Sequence, residues 1–415
     1  MPNKNYKSLF LIFFAIEIAK ESLCEEKKYL HGCGVYEIDN KPSDIQGIPV
    51  KEDGQSFRRL VDPKGFKDFV IHFDKENIEY EIKENNLTKN HDLIMNAIDK
   101  AINTLEKLLK VKPFKDNYAL VDQIFYSCDI KYWEKDKYGS EAYYNHSKTL
   151  MHTGYDLIIF GKIYKTDPSI LAGARPILLE NTNGRPYGGI VYINANVDYS
   201  SKKSQELLEF ILIHEITHVL GFSDYFFANI FHNVYWEIDY NGINRTYINS
   251  TKVLNVAKKY YNCPNIKGVA LEDYGFSGTV GSHWEAKILL GDYMNGYTYT
   301  DEQVISEFTL ALLEDSGYYK ANYYTGGLMR YGKHKGCSFL NEPCVDRTNH
   351  SINPFFENEY FDSIYSDSLK DPSCSSGRQS RTYYAWWLYP NLSKNYPYFS
   401  YFKNGNYGGF APADY

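Results

Sequence analysis

Cysteine is scarce in this chain, seven among 415 residues. That excludes a fold held mainly by disulfides, so apolar packing must do most of the work. There is no block of basic residues, and the net charge of −7 argues against a nucleic-acid partner. The N-terminal apolar run, Ser8 to Ala19, is 12 residues and too short to span a bilayer. No hydrophobic tail suited to a lipid anchor follows at the other end. Tyrosine (40) and phenylalanine (24) are abundant, but they show no regular spacing and read as general composition.

What is present points to secretion. The Ser8 to Ala19 run follows Lys4 and Lys7 and precedes Ser22-Leu23-Cys24, as in a cleaved leader of residues 1–24, although Glu17 interrupts it and a short N-terminal anchor stays open. Asn-x-Ser/Thr triplets begin at Asn86, Asn145, Asn244, Asn249, Asn349 and Asn391, as an extracellular glycoprotein would allow. If Cys24 leaves with the leader, six cysteines remain. Of these, Cys337 and Cys344 in the loop-like GCSFLNEPC stretch are the expected local bridge.

Residues 25–65 are charged and poor in pattern, and they read as a pro-segment. They contain Cys33, whose thiolate could occupy the open position of a catalytic metal and keep an enzyme latent; an ordinary disulfide is the alternative. From residue 66 on, the chain alternates strand and helix signals. Phe66 to Phe73 reads as a strand, and Asn86 to Val111 as a long amphipathic helix stopped by Pro113. Tyr155 to Ile163, Ala172 to Glu180 and Gly188 to Asn194 read as further strands, the last expected at the sheet edge, where it could take an extended substrate. The pattern predicts an α+β fold with an N-terminal sheet, an inserted central region and a loop-rich C-terminal part. The expected divisions are 66–225, 226–327 and 328–415.

The organising stretch is Leu207 to Phe222, LLEFILIHEITHVLGF, apolar on nearly every side of a helix. His214, Glu215 and His218 lie inside it, and burying them costs several kcal/mol, roughly, unless each finds a partner. A divalent cation removes that cost. His214 and His218 are four apart and share a helix face, while Glu215 lies about 100° round, in reach of a water on the same ion. Gly221 ends the helix in the left-handed turn that glycine accepts. The third ligand has several candidates. Glu237 would serve if a second helix supplied it, Asp224 holds the position six residues past His218, and a histidine could follow a long insertion. In the last case Gly281-Ser282-His283-Trp284-Glu285 stands out, with Met294 in a turn-like Gly291 to Gly296 segment.

These motifs together resemble the leishmanolysin family of metzincin zinc proteases. The matching residues are His214-Glu215-Ile216-Thr217-His218-Val219-Leu220-Gly221-Phe222, the insertion Ser223 to Ser282, His283-Trp284-Glu285 and Met294. Arg185-Pro186-Tyr187-Gly188-Gly189-Ile190-Val191, a helix near Phe308 to Tyr319 and the GCSFL segment at Gly336 extend the likeness. It implies one catalytic Zn2+ bound by His214, His218 and His283, Glu215 as general base and Met294 as a structural floor. It implies a secreted or cell-surface endopeptidase acting on proteins or peptides, with membrane association and oligomeric state left open. The family is usually richer in cysteine and extends beyond the equivalent of Asp414-Tyr415, so a truncated C-terminus is expected. A catalytically weak zinc-binding adhesion or binding protein on the same fold is the alternative, and retention of Glu215 speaks against it.

Overall fold

The computed structural model describes residues 62–114, 154–165, 171–180, 182–196, 202–238, 244–273, 280–296, 303–324 and 326–342, with short strand fragments outside them. The chain divides into two compact units. The first runs to Phe231 and includes Ser316–Thr325; the second holds His232–Gly275, Thr279–Asp315 and the chain from Gly326.

The first unit is built on a four-stranded sheet. Its strands are β1 (Ile71–Asp74), β2 (Leu157–Tyr164), β3 (Ala172–Leu179) and β4 (Pro186–Asn194), in the order β1-β2-β4-β3. β1, β2 and β4 are parallel, and β3 runs antiparallel on the outside of β4. β2, LIIFGKIY, is buried along nearly its whole length, as expected of a parallel strand covered on both faces. Helix α1 (Lys75–Glu84) starts where the Asp74 side chain accepts the Glu76 and Asn77 amides. It ends with Asn86 at φ 58, the Leu87 amide reaching back to the Ile82 carbonyl. Helix α2 (His91–Leu108) buries Ile94, Ala97, Ile98, Ala101, Leu105 and Leu108 on one face. Helix α3 (Lys202–Val219) packs against α2, β3 and β4.

Three expectations change. The strand expected over Phe66 to Phe73 is two pieces, Lys67–Asp68 and Ile71–Asp74. The long helix stops at Leu108 rather than at Pro113, because Leu109–Val111 extends to pair with Tyr319–Ala321 and Lys67–Asp68. Gly188 to Asn194 lies inside the sheet, not at its edge; the edge beside it is β3, which returns antiparallel. Gly189 of β4 serves helix packing instead, since a Cβ there would sit 2.3 Å from Val219 Cγ1 at the end of α3, while one on Gly188 would sit 2.6 Å from Leu178 Cδ1 on β3.

The second unit holds a three-stranded antiparallel sheet of β5 (Val234–Ile238), β6 (Asn244–Ile248) and β7 (Val269–Ala270), in that order. Helix α4 (Thr251–Tyr261) packs on α5 (Glu307–Asp315). The Asp315 carboxylate accepts the Lys252 and Val253 amides at the start of α4. A disulfide joins Cys263 to Cys337. The bridge expected between Cys337 and Cys344 is therefore not formed, because α4 ends beside the Cys337–Asn341 helix and brings a partner from 74 residues away.

Candidate metal centre

α3 is buried from Ile211 to Leu220, so the polar groups inside it have left water and must be satisfied locally. His214 and His218 lie one turn apart with ring Nε2 atoms 3.0 Å from each other and ring planes at 78°. The geometry that holds His218 begins at the helix exit. Gly221 adopts φ 116, its amide donates to the His218 carbonyl, and the Phe222 amide donates to the Thr217 carbonyl. This closes a Schellman-type turn and swings the Phe222 carbonyl back to His218 Nδ1 at 2.6 Å. A carbonyl only accepts, so Nδ1 carries the proton and Nε2 presents its lone pair toward His214. Burial pushes the His218 pKa down to about 4 against the opposing Phe222 bond, which keeps the ring neutral near pH 7. A neutral imidazole with an outward lone pair is the form that binds a cation.

Glu215 is fully buried, and among the described residues neither carboxylate oxygen has a hydrogen-bond partner. Burial alone drives its pKa well above the usual carboxylate range. A nearby cation and its water would supply the partners such a carboxylate needs, so the donor set fits a metal.

In the second unit His283 is fully buried with Nδ1 2.9 Å from Ser282 Oγ, which orients the ring. Its neighbour Trp284 ties this segment to the Met294 turn. The Trp284 amide donates to the Met294 carbonyl, and the Asn295 side-chain amide donates to the Trp284 carbonyl at 3.1 Å. Trp284 Nε1 donates to Thr309 Oγ1 on α5 at 2.8 Å, and that hydroxyl donates to Asp292, which accepts the Met294 amide at 2.7 Å. Met294 is fully buried. Sequence reading did not find Ser282, Asp292 or Thr309. They are common polar residues whose role exists only once α5 and the turn meet.

Among the described residues, two groups within single units could contribute to a metal site: the imidazole pair His214 and His218, and Glu272, Asp273 and Glu285. The second already has its counter-charge. Arg245 Nη1 lies 2.8 Å from Asp273 and 3.5 Å from Glu285. Neither alternative ligand stands in a metal-capable group among the described residues. Asp224 is exposed and accepts the Tyr225 amide at 2.7 Å. Glu237 is exposed on β5, a strand rather than a second ligand-bearing helix. Cys33 lies outside the described residues.

A buried helix with two imidazoles one turn apart and a carboxylate beside them is the arrangement of the HExxH metallopeptidase class. Comparison with known proteins is more specific. The family model described as "Peptidase_M8: Leishmanolysin" matches residues 81–412, so the chain belongs to the leishmanolysin family, a metzincin family of zinc proteases. It is 34% identical over 191 residues to a leishmanolysin homolog from Crithidia fasciculata, covering 46% of this chain and 28% of that protein. It is 38% identical over 126 residues to a leishmanolysin-like peptidase from Drosophila melanogaster, covering 29% and 18%. With leishmanolysin from Leishmania major it shares 26% over 327 residues, 77% of this chain and 49% of the relative. The matches thus span half or less of the relatives' lengths.

Proposed function

We propose that this chain is a zinc endopeptidase of the secretory pathway, released or held at the cell surface, that hydrolyses protein or peptide substrates. His214, His218 and His283 are the proposed ligands of one Zn2+. When bound, zinc lowers the pKa of a water to about 7 and polarises the scissile carbonyl. Glu215 would take a proton from the attacking water and hand it to the leaving amine. The Phe222 carbonyl holds His218 in the ligating tautomer, Ser282 orients His283, and Met294 serves as a structural floor. β3, the outer strand next to β4 among the described strands, is the proposed seat for an extended substrate. Routing through an oxidising compartment is supported by the Cys263–Cys337 disulfide and by the leader-like residues 1–24. Among the described residues no helix is long and apolar enough to cross a membrane.

The observation that supports this reading is Glu215, buried on the histidine helix with no hydrogen-bond partner for either carboxylate oxygen among the described residues. The test is Glu215→Ala in full-length, processed protein. Peptide cleavage should fall about 10²–10⁴-fold, while zinc content by mass spectrometry stays near one per chain. Cleavage that survives the substitution would remove Glu215 from the mechanism. Zinc-loaded wild type that cuts no peptide would overturn the enzyme reading. For latency, Cys33→Ala protein should be active before any processing, and unchanged latency would end that role for the thiol.

A further inference from the structure

We propose that Asn244 is an N-glycosylation site and that the first sugars of its glycan cover Trp236 and Ile238. This rests on the secretory routing proposed above, because the modification is made only there. Among the described residues the triplets at Asn86, Asn244 and Asn249 each present an exposed asparagine. The register of the second unit's sheet sets Asn244 apart. β5 and β6 are antiparallel, with Ile238 opposite Asn244 and Trp236 opposite Thr246. Residues directly opposite project from the same face of a sheet, so the acceptor asparagine, its threonine and the two apolar side chains form one cluster. Arg245, between the asparagine and the threonine, points the other way into its pairs with Asp273 and Glu285.

Trp236 is 60% exposed and Ile238 70% exposed, on a strand that forms the outer edge of its sheet. An indole left in water on the outermost described strand of its sheet invites edge-to-edge association. A pyranose ring has an apolar C–H face that packs on an indole as another ring would, and its polar rim stays hydrated. The tether point lies inside the apolar patch, directly across from Ile238, so a covalently held sugar reaches both side chains without any other partner. A glycan there would also screen the β5 edge. In the transfer, Asn244 Nδ2 bonds to C1 of a polyprenyl-diphosphate-linked oligosaccharide. The C1–O bond to the diphosphate breaks, the lipid diphosphate leaves, and the Nδ2 proton passes to a base of the host transferase.

The test uses the full chain made in a eukaryotic secretory host, with glycopeptide mapping of wild type, Asn244→Gln and Thr246→Ser. Occupancy at Asn244 is expected in wild type and in Thr246→Ser, with the mass of one glycan lost in Asn244→Gln. Native removal of glycans with a glycosidase should raise acrylamide quenching of tryptophan fluorescence, and Trp236→Phe should abolish that rise. The glycosidase arm works on wild type, so poor folding of a variant does not void it. Asn244 unmodified while other triplets carry glycans overturns this proposal alone. No glycan at any triplet overturns both it and the secretory routing. An occupied Asn244 with quenching unchanged on removal overturns the covering of Trp236.

Discussion

Asp292 shows how much of the second unit's geometry rests on single polar side chains. Its carboxylate accepts the Met294 amide and the Thr309 hydroxyl while fully out of water. Burial pushes its pKa up to about 6, with the Ser306, Met294 and Thr309 hydrogen bonds pulling the other way. A carboxyl raised above its unfolded value of 3.8 holds a proton in the folded chain that the unfolded chain has already lost. Stability therefore falls as pH rises from about 4 to about 6 and is flat above, by on the order of 2–3 kcal/mol for this group. Asp292→Asn should flatten that part of the stability–pH profile in urea melts. A wild-type profile without this slope, or a slope untouched by the substitution, would show that Asp292 does not titrate there.

At the scale of elements, the exit of α3 is where backbone conformation is tied to ligand orientation. Gly221 at φ 116 holds a conformation that a side chain strains by roughly 1–3 kcal/mol, and a Cβ would also sit 3.2 Å from the Phe231 ring. Gly221→Ala should lower the melting temperature and weaken zinc retention together, because the Phe222 carbonyl moves off His218. Retention unchanged in a destabilised variant would separate the turn from the metal site. The Cys263–Cys337 bridge closes a 74-residue separation, which in the chain-entropy picture stabilises by about 4 kcal/mol. Cys263→Ser with Cys337→Ser should lower stability by about 2–4 kcal/mol, and reductant should lower the melting temperature of wild type more than that of the double variant. An equal reductant-induced shift in both proteins would show that this bridge does not carry the stability assigned to it.

Elements announced by their own residues were legible, and those defined by distant partners were not. The α2 face, the buried run of β2 and the glycine-terminated α3 each carry their signal within one stretch of sequence. α1 escaped because only Ile78 and Ile82 give it an apolar spacing, and its start depends on Asp74 capping rather than on periodicity. The inner place of β4 and the partner of Cys337 were missed for a shared reason. Both are fixed by chain that returns from elsewhere, β3 in one case and the end of α4 in the other. Of the proposed ligands, His214 and His218 declare themselves by spacing on one helix. His283 has no local signature strong enough alone, and only its setting with Trp284 and Met294 singles it out.

For the whole molecule, family membership spans residues 81–412 and joins these pieces into one proposed enzyme. The claim on which it depends is that three imidazoles far apart in sequence hold one zinc. Zinc stoichiometry with X-ray absorption at the zinc edge, measured on wild type, His283→Ala and Asp224→Ala, tests it most directly. The expected result is one zinc with three imidazole nitrogens in wild type and in Asp224→Ala, and loss of tight binding in His283→Ala. Full retention of zinc without His283, or its loss without Asp224, would contradict it.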